Sequence, residues 1–214
     1  MTITMSSENI SMPSGNLGKE FRSTRNVLHN GAFRVNQRAG SSYTGAGQMN
    51  LDRWYCAFNL GGFSVSPQTS QPQVFPGYFY RSTVTSIASP TAGYYYWIAS
   101  QQIEGFDLPP LNLGVTDSDQ RHINVSFWVR SSMTGTPSVL IGVKNSSGTW
   151  YYSYRSFTIS AANTWEFKSV TVPGETTGSN WGNSNNIGCQ VIFDLGSTSA
   201  QTGNLWGTGD SKRA

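Results

Sequence analysis

Residues 123–145 read INVSFWVRSSMTGTPSVLIGVKN, and this stretch decides the fold class. Ile123, Val125, Phe127 and Val129 alternate with Asn124, Ser126 and Trp128, the period of a strand with one buried face. Val139, Ile141 and Val143 repeat the alternation, and KNSSGTW follows as a hairpin turn in which Gly148 can take a positive φ.

Working outward, further strands are expected over 52–60, 77–88 and 94–104, the last two parted by the turn signal SPTAG. TWYYSYRSFTI carries large residues on both faces. Trp165 and Phe167 share a phase that Val170 and Val172 do not, so a bulge is expected near Lys168 or Ser169. Ile187, Cys189, Val191, Phe193 and Leu195 form one face of a closing strand. With no helical period, these segments imply an all-β protein, an antiparallel β-sandwich with jelly-roll as the preferred topology. Composition agrees: only 12% of the chain is charged and 13% is aromatic, which suits strands joined by many turns.

Residues 1–25 contain few apolar side chains and no period, with Pro13, Gly15 and Gly18 among them. This segment reads as a basic N-terminal arm that orders only against a partner, ahead of a sandwich domain spanning 26–214. Residues 1–38 hold Lys19, Arg22, Arg25, Arg34 and Arg38 against Glu8 and Glu20, so the whole net charge of +3 lies there. Five dispersed cations fall short of the dense patches of nucleic-acid modules, so nucleic acid is not an expected partner. No stretch approaches the ~18 consecutive apolar residues of a membrane span, and the first residues lack the charged and apolar regions of a secretory signal. Cys56 and Cys189 fall on apolar sides of strand patterns. They read as buried free thiols, with a disulfide as the alternative.

Chemistry-bearing motifs are absent from the sequence: no G-x-S-x-G, H-E-x-x-H, phosphate-binding glycine loop or Cys/His cluster occurs. His29 and His122 read as surface residues. Glu104 with Asp107, and Asp117 with Asp119, read as solvated loop acids rather than a catalytic pair or a cation site. The aromatic runs offer more. Tyr94, Tyr95, Tyr96 and Trp97 are consecutive, and Trp150, Tyr152 and Tyr154 share one strand face with Arg155 on the other. Such rows serve as core or cross-strand pairs, as a subunit interface, or as a platform for sugar rings. Tyr94, Tyr96, Trp150, Tyr152, Tyr154 and Arg155 are therefore the candidate glycan or subunit contacts.

NVLHNGAFRVNQRAG (residues 26–40) resembles the start of a jelly-roll domain of tailed-bacteriophage tail-fibre and related virion proteins, which are themselves similar to carbohydrate-binding modules. The resemblance continues in order through LDRWYC, IASQQIEGFDLPPL, INVSFWVRSSMTGTPSVLIGVKN and FTISAANTWEFKSVTVPGETTGSNW, covering about residues 26–195. It implies that Asn30 and Gly31 turn the chain into a first strand, with Phe33 and Val35 inward and Arg34, Asn36 and Arg38 outward. Sugar-binding relatives usually carry an acid after the Phe of this motif, where it helps hold calcium. Arg34 stands there, so no metal or other cofactor is expected.

The resemblance further implies a non-enzymatic structural protein of a tailed-phage virion: a surface-displayed domain of a tail fibre or appendage, with host-glycan binding as an added role. Other virion proteins would be the partners of the arm, through Lys19, Arg22 and Arg25, and a homotrimer is the favoured assembly. Members of this kind continue past a segment like NLWGTGD into another strand, whereas here SKRA follows; the expectation is a last strand that is missing or donated by a neighbouring chain. A capsid decoration or head-fibre protein and a free carbohydrate-binding module are the alternatives. A hydrolase of host surface polymers would need a carboxylate that the sequence does not single out.

Overall fold

A computed structural model of the chain describes residues 26–37, 49–58, 61–68, 78–86, 96–111, 122–172, 184–195 and 204–205. The strands are β1 (Met49–Leu51), β2 (Trp54–Phe58), β3 (Gly62–Gln68), β4 (Phe79–Ser86), β5 (Tyr96–Glu104), β6 (Ile123–Val129), β7 (Ser138–Lys144), β8 (Trp150–Ser156), β9 (Glu166–Val172), β10 (Ile187–Asp194) and β11 (Asn204–Leu205). Two 3₁₀ turns, Gly105–Asp107 and Pro109–Leu111, are the helical elements among the described residues, and none is long and apolar enough to cross a membrane.

Seven strands form one sheet in the order β1-β2-β5-β10-β7-β8-β11, while β3 pairs with β4 and β6 with β9. All pairings are antiparallel except the short parallel contact of β11 with β8. The all-β, antiparallel expectation therefore holds. The β7–β8 hairpin also closes as expected, with Gly148 at φ 90° and its N–H donating to the Asn145 carbonyl at 3.0 Å.

The main core lies between the large sheet and the β6–β9 ribbon. Val139, Ile141 and Val143 of β7, Cys189 and Val191 of β10 and Ile103 of β5 meet Ile123 and Val125 of β6 and Val170 and Val172 of β9. Each such fully buried aliphatic contributes roughly 1.5–3 kcal/mol, whereas an exposed polar pair contributes about 0–1. Burial of the alternating faces, not surface pairing, holds the ribbon down. Phe127 locks the junction, edge-on to both Phe157 (4.9 Å) and Phe193 (4.8 Å). A second cluster gathers Leu51, Trp54 and Ala99 beneath Phe33 and Tyr80.

Three expectations are corrected. The β6–β9 register runs from Ile123 opposite Val172 to Val129 opposite Glu166 without a shift, so β9 has no bulge. Its phase is set by Val170 and Val172, which puts Phe167 on the outer side at 56% exposure beside Trp128.

Residues 33–36 form no strand, and Val35 is exposed rather than inward. Asn30 takes φ 49° and its amide instead ties a loop together: it donates to the carbonyls of Val35 (2.9 Å) and Asp52 (3.0 Å) and accepts from the Val35 N–H (3.0 Å). Trp54 Nε1 donates to the Asn30 carbonyl at 3.2 Å. Phe33 does point inward, packing on Trp54 at 5.3 Å. A side-chain amide able to bond three backbone groups competes successfully with strand formation here.

The third correction is at the ends of β10, where Ile187 and Leu195 lie exposed instead of continuing the inward row of Cys189, Val191 and Phe193. Cys56 and Cys189 are both buried thiols and form no disulfide.

Candidate functional site

The face of the large sheet turned away from the main core carries the aromatic row that the sequence singles out. Strand alternation places Trp150, Tyr152 and Tyr154 of β8 there, beside Leu140 of β7 and Ile192 of β10. Trp97 joins them because the β5–β10 register shifts between Phe193 and Asp194, which sets Trp97 opposite Asp194 and re-aims it to this face. Ser100, Gln190 and Asp194, all buried, supply polar groups on the same face.

Trp150 and Tyr152 stack, with centroids 5.7 Å apart and planes within 15°. The Lys144 ammonium sits 5.5 Å from the Trp150 ring centre, a cation–π contact at the end of the hairpin. Tyr152 lies flat over Gly142, directly opposite it in the ladder: a Cβ at Gly142 would come within 2.7 Å of Tyr152 Cε1 and 3.1 Å of Gln190 Cγ. Only glycine leaves room for that ring.

Burial pushes the Tyr152 phenol up to about 12, with Tyr55 adding to the shift and a hydrogen bond from Gln190 opposing it. The Tyr154 phenol is raised by burial and then by the nearby Asp194 carboxylate. These hydroxyls therefore stay protonated at neutral pH.

The sequence-selected residues separate. Trp150, Tyr152 and Tyr154 come together; Trp150 is half-buried, and Tyr152 and Tyr154 are buried at 4% and 9% exposure. Arg155 lies on the opposite face, as its phase requires. Its Nε donates to the Thr171 carbonyl of β9 (3.2 Å) and its guanidinium to the Tyr154 carbonyl (2.8 Å), so it fastens the sheet to the ribbon. Tyr96 opens β5 opposite Phe58. Tyr94, Tyr95, Lys19, Arg22, Arg25, Arg38, Asp117 and Asp119 lie outside the described residues.

His29 and Asp107 meet at 3.3 Å, with side chains 44% and 33% exposed, so this acid–histidine contact is a solvated one. Among the described residues, no three His, Cys, Asp or Glu side chains gather as metal ligands would.

Sequence reasoning missed two features. Gln101, fully buried, accepts from the His29 N–H (2.6 Å) and donates to the His29 carbonyl (2.7 Å), completing a ladder rung with a side chain. The outer Trp128–Phe167 pair was hidden by reading Phe167 in phase with Trp165; extending the Val170–Val172 phase back along the strand would have found it.

Fold and site together define an all-β protein with a seven-stranded sheet, a ribbon packed on one face and an aromatic–polar row on the other. No family model matches the chain, and no curated protein matches it. Among solved structures, it is similar to the crystal structure of the enzymatically active domain of bacteriophage CBA120 tailspike protein 4, at 15% identity and a TM-score of 0.46. The match covers 79% of this chain and 19% of that one, and a likeness of this extent carries nothing about activity.

Proposed function

We propose that the chain is a non-enzymatic structural protein of a tailed-phage virion: a jelly-roll domain of a tail fibre or appendage, attached through residues 1–25 and displayed at the particle surface. The observation that carries this reading is the interlocking of the segments that resemble virion jelly-roll domains. Asn30, of the NGAF segment, bonds to Asp52 and Trp54 of LDRWYC, and His29 is clamped by Gln101 of IASQQIEGFDLPPL. Segments that resemble one family in order are also joined in space.

In this reading the half-buried Trp150, backed by the buried Tyr152 ring and flanked by Lys144, contacts a host glycan or a neighbouring subunit. Lys19, Arg22 and Arg25 dock the arm on other virion proteins. Light scattering of the purified chain with and without residues 1–25 tests it. A trimer that survives removal of the arm supports a fibre or appendage domain. A monomer that joins particles only through its arm supports capsid decoration instead. The Trp150–Tyr152 stack also favours a second reading, a free carbohydrate-binding module; this requires an isolated monomer that binds polysaccharide and loses that binding in Trp150→Ala.

A further inference from the structure

We infer that the outer face of the β6–β9 ribbon is a separate binding site for a short, uncharged oligosaccharide. Six side chains point outward there, Asn124, Ser126 and Trp128 from β6 and Phe167, Ser169 and Thr171 from β9, and every one is exposed. Trp128 and Phe167 stand directly opposite each other, 42% and 56% exposed, with centroids 5.6 Å apart and planes at 59°. The two rings make an open wedge of apolar surface at one end of the face.

The other end is polar and already ordered. Asn124 Nδ2 donates to Ser169 Oγ (3.0 Å) and Thr171 Oγ1 (2.9 Å), and Ser169 Oγ donates back to Asn124 Oδ1 (3.1 Å). This network holds its hydroxyl and amide groups in place, so little side-chain freedom is lost when a ligand binds. Rungs of the ladder that share a face are about 6.7 Å apart, so aromatic wedge and polar row form a track about 13 Å long.

Chemistry and size choose the occupant. None of the six side chains carries a formal charge, and Arg130 at the margin is engaged with the Asn163 carbonyl at 2.9 Å. An uncharged partner fits, one whose flat C–H faces cover a ring while its hydroxyls bond to amide and hydroxyl groups. A neutral sugar chain has both. A second protein copy would need far more surface: seven residues on two strands offer about 23 Å by about 10 Å, well below the ~800 Å² per partner of a stable interface.

Calorimetric titration of the full chain with maltohexaose, cellohexaose, mannohexaose and chitohexaose, with hexagalacturonate as the anionic probe, tests the inference. The expected result is saturable binding of at least one neutral hexaose. That binding should weaken by at least about tenfold in Trp128→Ala and in Phe167→Ala, survive in Trp128→Tyr, and be unchanged by Met133→Ala. All six positions face outward, so the variants should keep the parent unfolding midpoint, and only variants that do so are compared.

Four outcomes overturn the inference: no neutral hexaose binds; hexagalacturonate is preferred; Trp128→Ala and Phe167→Ala leave binding intact while Trp150→Ala removes it; or the chain self-associates through this face, with Trp128→Ala abolishing the association. The third of these would leave the large-sheet reading standing and remove only the ribbon site.

Discussion

Gln101 holds the peptide of His29 from both sides, accepting from its N–H at 2.6 Å and donating to its carbonyl at 2.7 Å. Seventy-two positions apart in the chain, the two residues make the rung that a neighbouring strand would otherwise supply. Gln101→Ala should therefore leave a part-buried N–H and carbonyl unpaired and cost about 2–4 kcal/mol. Urea unfolding measures the loss, and hydrogen exchange at the His29 amide should accelerate. Unchanged exchange at that amide would show that the clamp contributes nothing.

Gly142→Ala should displace the Tyr152 ring, because the added methyl would sit 2.7 Å from a ring carbon that is itself buried. Overpacking of this kind costs about 1–3 kcal/mol. The near-UV circular dichroism of the Trp150–Tyr152 stack should change in step with the stability.

Gly188→Ala tests how the 3₁₀ turn docks on β10. A Cβ there would meet the Gly105 Cα at 2.7 Å and its N at 3.0 Å, and backbone cannot swing aside as a side chain can. We expect a loss of at least about 2 kcal/mol by urea unfolding, together with weakened protection of the Gly105 and Phe106 amides, which bond to Asn186 and Ser184.

Alkaline pH should destabilise the fold. Burial raises the phenols of Tyr80 and Tyr154 above the ordinary 10 and that of Tyr152 to about 12. Above about pH 10 the unfolded chain therefore gives up phenolic protons that the folded chain keeps, and stability falls until the folded phenols titrate. The urea midpoint should drop as pH rises through 10, and Tyr152→Phe should reduce the slope.

At the acid end, Lys168 and the N–H groups of Ala161 and Ser160 hold the Glu166 carboxyl below its ordinary 4.5. A depressed carboxyl stabilises above its unfolded pKa, and that stabilisation disappears as pH falls through the folded one. Glu166→Gln should flatten the part of the acid unfolding curve below about pH 4.5 and leave the neutral region nearly level.

β6 was legible in the sequence because burial on one face imposes strict alternation, and it matches the expected Ile123–Val129 span. β7, β8 and β10 also lie where strands were expected, although the large sheet buries side chains on both of their faces. β3 was not among the expected strands; it carries Pro67 near its end and is paired on one side only, where a proline is tolerated. The loop over residues 29–37 was misread because its geometry comes from Asn30 bonding to distant backbone, which leaves no periodic trace. At the candidate site, the Trp150–Tyr152–Tyr154 row was visible from its spacing. The placement of Trp97 was not, since it depends on a register shift against β10 that no local pattern encodes.

The central claim is most directly tested by immunogold labelling of intact purified particles produced from the genome that encodes this chain, with antibodies raised against residues 122–172. The account predicts gold at fixed positions on the particle surface, on a tail fibre or appendage, and no labelling of particles assembled from a chain lacking residues 1–25. Purified particles free of the chain, with the protein recovered only from the soluble fraction of the lysate, would contradict it.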